Sequence, residues 1–132
     1  MKKHAKNMIA IMCAFIMLMV TSISVYAATP RYKYISGMSI SLSCDDGKAY
    51  CYITVNGSQD VSGYINGTAT LTDENGTVYG NWTNLSMTGD DFQWADIVWN
   101  IPRGHTYVLD FTITASASGR PETISGYSDY VY

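Results

Sequence analysis

Residues 106–115 alternate without a break: Tyr107, Leu109, Phe111 and Ile113 are interleaved with Val108, Asp110, Thr112 and Thr114. Period-two spacing of this kind belongs to a strand with one face in a core and the other largely in water. The same alternation, interrupted by Gly, Asn, Asp and Ser, is followed through most of the chain. It predicts seven strands, over residues 34–43, 50–56, 64–72, 78–85, 92–101, 106–115 and 122–132. Turn dipeptides recur at Asp46-Gly47, Asn56-Gly57, Asn66-Gly67, Asn75-Gly76 and Ser118-Gly119. No segment carries helical periodicity. Short strands at near-even spacing with nothing between them but turns are the pattern of an all-β sandwich or barrel.

Carrying the phases strand by strand divides the apolar residues into an inner and an outer set. Met38, Ile40, Leu42 and Cys44 share one face, as do Cys51, Ile53 and Val55. In the fifth strand Ile101 anchors the inner phase, so Ala95, Ile97 and Trp99 are expected in the core and Phe92, Trp94 and Val98 outside it. Tyr50 and Tyr52 fall opposite Cys51 and Ile53, and Tyr64 falls opposite Ile65. The expected outer face therefore presents Trp94, Tyr52, Tyr50, Phe92 and Tyr64.

Tyr107 stands just inside the strand that follows the Pro102-Arg103-Gly104 turn. There it buries its ring and gives its hydroxyl to a turn backbone group, the tyrosine corner of Greek-key sandwiches. Residues 101–111, Ile-Pro-Arg-Gly-His-Thr-Tyr-Val-Leu-Asp-Phe, resemble the leucine-x-proline-glycine-threonine-x-tyrosine passage of fibronectin type III domains. The wider pattern is similar to a large uncharacterised family of small secreted proteins from Gram-positive bacteria. The matching elements are Tyr32 to Ile35 with Ser39 to Leu42, Cys51, Gly67 to Leu71, Trp82, Gly104 to Ala115 and Gly119 to Tyr130. The resemblance implies an immunoglobulin-like or fibronectin III-like antiparallel β-sandwich and implies no activity.

The N-terminus changes the compartment. Lys2, Lys3, His4 and Lys6 precede an uncharged apolar run over residues 8–20, and a polar stretch then ends in Val25-Tyr26-Ala27. That is a signal peptide cleaved after Ala27. The apolar run falls short of the roughly 20 residues a spanning helix needs. The expected organisation is a signal peptide over residues 1–27 and one secreted domain over residues 28–132, with no membrane insertion after cleavage. Without the leader, five basic residues face eleven acidic ones. Nucleic acid and anionic membrane surfaces both demand clustered Lys and Arg, so neither is an expected partner.

Candidate chemistry is sparse. Cys44 and Cys51 flank the Asp46-Gly47 turn in phase with the core, and export to an oxidising compartment predicts a structural disulfide between them. Asp45, Asp46, Asp73 and Glu74 belong to loops at one end of an immunoglobulin-like sandwich. There they offer hard oxygen ligands to Ca²⁺ or serve as solvated turn carboxylates. His105 has no free cysteine nucleophile to pair with, and no Gly-x-Ser-x-Gly or Ser-x-x-Lys motif occurs. A non-enzyme without a cofactor is expected. Outward aromatics either stack on sugar rings, anchor a protein partner or pair across strands. The functional expectation is a secreted extracellular binding module for a cell-surface glycan. A protein-interaction or adhesive sandwich and a small bacteriocin-like effector are the alternatives.

Overall fold

The computed structural model describes residues 32–132, and the segment read as a signal peptide lies outside them. Seven strands follow one another: β1 (Ile35–Asp45), β2 (Lys48–Gly57), β3 (Val61–Asp73), β4 (Val78–Thr88), β5 (Asp91–Trp99), β6 (Thr106–Ala117) and β7 (Arg120–Val131). Every pairing is antiparallel, and the strands form two sheets, ordered β1-β2-β5 and β4-β3-β6-β7. The chain leaves the first sheet after β2, returns to it for β5 and leaves again for β6. That topology is the immunoglobulin-like, fibronectin III-like sandwich, with no helix among the described residues.

Two tight hairpins set register at opposite edges. Asp45 pairs with Lys48 across Asp46 and Gly47, whose φ angles are 48° and 71°. Ala117 pairs with Arg120 across Ser118 and Gly119, at 47° and 76°. Two successive positive φ angles twist a two-residue loop in the sense of the strands it joins. The segment just before β1 is tied to β7 by Glu122, whose carboxylate accepts the Lys33 N–H at 2.7 Å and the Tyr34 N–H at 3.1 Å.

The inner faces meet in one core. Met38, Ile40, Leu42, Ile53, Val55 and Phe92 come from the first sheet, and Tyr64, Leu71, Tyr107, Leu109, Phe111 and Ile113 from the second. Phe92 stacks on Phe111 at 5.6 Å and lies tilted against Tyr64 at 5.7 Å, so one aromatic group bridges the sheets. Tyr64 also donates its hydroxyl to the Asp90 carbonyl at 2.7 Å. Burial, with Asp91 and Asp90 adding to it, pushes the Tyr64 phenol up to about 12. Tyr107 is fully buried and its hydroxyl donates to the Pro102 carbonyl, closing the corner where β5 gives way to β6.

Two phase expectations are overturned, and asparagine is the cause of both. In β3, Asn66 adopts φ 55° and the register slips between Ile65 and Thr68 against β6. One extra residue reverses which side chains face inward. Tyr64 is therefore in the core and Ile65 outside it. Gly67, next in the bulge, sits against β4 so closely that a Cβ would lie 2.7 Å from that of Leu85. In β5, the strand ends at Trp99 and Asn100 turns with φ 60°. Ile101 is buried, but the left-handed residue between breaks the alternation that it was expected to anchor. Phe92 is core, Trp94 and Val98 pack partly against the core, and Ile97 and Trp99 point outward.

The expected disulfide is also corrected. Cys44 pairs opposite Ala49 and Cys51 opposite Leu42, so the sulfurs belong to diagonal neighbours. Diagonal positions lie roughly 7–8 Å apart, beyond the usual disulfide Cα separation of about 4.4–6.8 Å. Both cysteines are free and buried. Burial pushes the two thiols up to about 12, which keeps them protonated and unreactive.

Candidate functional site

The outer face of the β1-β2-β5 sheet is built in rows. Lys48, Tyr50 and Tyr52 alternate outward along β2, opposite Trp99, Ile97 and Ala95 of β5. Successive rows are roughly 6.8 Å apart, from two residues at about 3.4 Å each. Trp99 is 61% exposed, Tyr52 45% and Ile97 42%, while Tyr50 is half-buried. On the β1 side, Ser41 pairs with Tyr52 and Ser43 with Tyr50, giving the aromatics a low polar border. Because Ala95 is small, its row leaves space beside Tyr52. A shallow groove of about 600 Å³ results, lined by Tyr50, Tyr52, Ala95, Asp96, Ile97 and Trp99 with Cys51 at its base. The Lys48 ammonium lies over the Trp99 ring, 4.5 Å from its centre.

Of the five aromatics expected on this face, Tyr50 and Tyr52 are there. Phe92 and Tyr64 are core residues, and Trp94 faces inward at the sheet edge. Trp99 and Ile97 were missed, because the phase was carried back from Ile101 across Asn100. An asparagine between an apolar residue and a strand end is itself the available signal, since Asn is enriched in the left-handed region.

Trp94 and Trp82 form a second arrangement where β5 passes β4. Their rings meet edge to face, 4.9 Å apart. The Trp82 indole lies over Gly80, where a Cβ would fall 2.2 Å from the ring, and its N–H donates to Asp96 Oδ2 at 2.7 Å. Asp96 Oδ1 accepts the Ile97 N–H at 2.8 Å. Asp96 thus anchors the tryptophan pair at the edge strand.

The acidic loops do not assemble as one set. Asp73 and Glu74 come together with His105, their ligand atoms all within 4.8 Å of one another, and Asp45 and Asp46 are not members of that group. Asp45 and Asp46 occupy the exposed tip of the first hairpin. Asp73 organises its turn: Oδ1 accepts the N–H groups of Asn75 at 2.9 Å and Thr77 at 3.0 Å, and Oδ2 accepts the Tyr79 hydroxyl at 3.0 Å. Glu74 meets His105 Nδ1 at 2.9 Å and accepts the Thr106 N–H at 3.2 Å. Burial acts to raise the Asp73 carboxyl, but the bonds from Thr77, Asn75 and Tyr79, with His105 nearby, outweigh it and hold the group below its ordinary range. Glu74 is lowered by its own backbone N–H, with His105 and Thr106 contributing against a smaller effect of burial.

Carboxyls lowered in the fold stabilise it above their ordinary values, and that stabilisation is lost as the pH falls through the folded values. Acid should therefore loosen this turn as the pH drops below 4.5 and then 3.8, the ordinary values of Glu and Asp. Asp73→Asn should lower the melting temperature at neutral pH and flatten its fall in acid. An unchanged acid slope in that variant refutes the assignment.

No protein-family model matches the chain, and no curated protein matches it. Among solved structures it is similar to the beta-glucuronidase of Bacteroides uniformis, with a TM-score of 0.44 and 15% identity. The match covers 70% of this chain and 13% of that one.

Proposed function

We propose that this chain is a secreted, non-catalytic extracellular module that binds a cell-surface glycan on the outer face of the β1-β2-β5 sheet. The observation that carries the reading is the row of Tyr52, Tyr50, Ile97 and Trp99 along a shallow open groove. Planar rings on a pleated face suit the apolar faces of sugar rings, and the rigid sheet holds them in place before binding. The leader-like residues 1–27 support the secreted reading. The acidic balance of the remaining chain argues against nucleic acid. The non-catalytic reading draws on the thiols, buried and at about 12, and on His105, held by Glu74.

The test is co-sedimentation with insoluble polysaccharides and peptidoglycan. The expected result is saturable capture, abolished in Trp99→Ala and Tyr52→Ala while circular dichroism keeps its β signature. Absence of capture on every polymer overturns the reading. The same patch is then left to its second occupant, a protein partner anchored on Trp99 and Ile97.

A further inference from the structure

We propose that the free edge of β5 is a docking site for an extended peptide segment, which adds a strand to the β1-β2-β5 sheet and sets an arginine opposite Asp96. The inference does not rest on the glycan reading: it concerns the edge of that sheet rather than its outer face, and a protein rather than a sugar chain.

The sheet edges are not equally open. β1 and β7 pass close to each other, with Gly126 so near Met38 that a Cβ would clash, and Glu122 holds the segment before β1. β4 is irregular: its register against β3 shifts on either side of Gly67, and Asn84 turns with φ 57°. Bulges twist an edge away from an incoming strand. β5 has no such protection. It pairs with β2 from Asp91 to Trp99 without a shift and contains neither proline nor lysine. Among the described residues no backbone hydrogen bond joins it to a strand other than β2.

The backbone groups along that edge follow from one bond. The Ile97 N–H donates to Asp96 Oδ1 at 2.8 Å, so it faces away from β2. Period two gives Gln93, Ala95 and Trp99 the same direction. Each offers a donor and an acceptor to a strand laid alongside. Ala95, Asp96 and Ile97 are all exposed, so the middle of the edge is open to solvent.

Asp96 decides what can be laid there. A charge on the inward phase of an edge strand guards it against pairing, and this carboxylate also covers the Ile97 N–H. A second copy of the chain, paired antiparallel about this residue, would set Asp96 against Asp96 and bring two acidic domains together. An arginine reverses the sign. Its guanidinium takes the carboxylate, the Ile97 N–H passes to a peptide carbonyl, and the Trp82 N–H stays on Oδ2. The ion pair among the described residues is His105 with Glu74, so no cation already holds Asp96. Arginine suits the place better than lysine, because its planar fork grips a carboxylate with two bonds and stacks on aromatic rings, here Trp82 and Trp94. Facing residues of paired strands share a face. The residues opposite Ala95 and Ile97 therefore fall on the outer side, where exposed Ile97 favours apolar, β-branched neighbours. The partner is an extended segment reading apolar, arginine, apolar.

Titration calorimetry of the purified protein with an end-blocked Ser-Thr-Val-Arg-Val-Thr-Ser peptide tests the inference. The expected result is saturable binding, with slowed hydrogen exchange at the Ala95 and Ile97 amides. Methylating the backbone nitrogens of both peptide valines should abolish it, since those N–H groups face β5. Ala95→Pro should abolish it too, by removing an outward N–H without breaking the β2 ladder. Asp96→Asn should weaken binding by about fivefold, the upper range for an exposed ion pair, and should leave unchanged the weaker binding of a peptide with glutamine in place of arginine. Equal binding of the methylated peptide refutes strand addition. An equal loss for both peptides in Asp96→Asn refutes the pairing with arginine. Absence of binding overturns the proposal, and a concentration-dependent dimer that Ala95→Pro disperses would then give the edge to a second copy.

Discussion

Phe92→Ala should destabilise the domain by about 3–5 kcal/mol, the range for removing a buried phenylalanine. Trp99→Ala, seven residues further along the same strand, should cost no more than about 1 kcal/mol. Phe92 is essentially inaccessible and fills the space between the sheets, against Phe111 and Tyr64. The hole left by alanine closes poorly, because Tyr64 is anchored through its hydroxyl to the Asp90 carbonyl. Trp99 projects into solvent, and its loss removes little beyond the contact with Lys48, about 0.5–1 kcal/mol at an exposed site. At roughly 4–8 °C per kcal/mol for a domain of this size, Phe92→Ala should lower the melting temperature by at least about 12 °C. Urea unfolding with an unchanged slope gives the comparison directly. Should Trp99→Ala prove the more damaging, Trp99 belongs to the core, β5 has the opposite phase, and the groove is lost with it.

That pair of variants also marks where the sequence stops being readable. All seven strands and both two-residue hairpins were legible, because period-two alternation and Asp-Gly or Ser-Gly turns are local signals. Tyr50 and Tyr52 were legible as outward residues because β2 runs from Lys48 to Gly57 without a bulge. Trp99 and Ile97 were not, since their phase depended on Asn100. An asparagine in the left-handed region looks, in sequence, like any polar residue on the wet side of a strand. Asn66 hid Tyr64 in the same way. The cysteines failed for a different reason: sharing a face is a matter of parity, whereas bonding is a matter of register. A two-residue shift in register along the hairpin separates facing neighbours from diagonal ones on the same face.

Edge position explains the site as much as composition does. β5 ends the three-stranded sheet and β4 ends the four-stranded one, so the sandwich is open where the two edges pass. Trp82 and Trp94 fill that opening. A tryptophan pair at an edge needs an acceptor for the indole N–H, and Asp96 supplies it. The same carboxylate would be prohibitive one layer deeper, because an unpaired buried charge is costly.

Tyr107→Phe should cost about 0.5–1.5 kcal/mol, the usual net worth of one hydrogen bond, although it removes a single oxygen atom. The ring is fully buried and remains so in the variant, which leaves packing against Tyr79 at 5.3 Å intact. What disappears is the donor to the Pro102 carbonyl, a part-buried bond on an exposed turn residue, so the cost is the net worth of that hydrogen bond. A second readout separates this from a packing defect. Burial, with Tyr79 adding to it, pushes the Tyr107 phenol up from 10.0 to about 12. A phenol raised in the fold stabilises it fully below the unfolded value, and that stabilisation is lost as the pH climbs through the folded one. The wild type should therefore weaken between pH 10 and about 12. The variant lacks this group, and Tyr64 supplies part of the background in both proteins. The stability gap between them should narrow across that window. A gap that stays constant from about pH 8 to 12 would show that the hydroxyl is not held as described, and that the corner is stabilised by the ring alone.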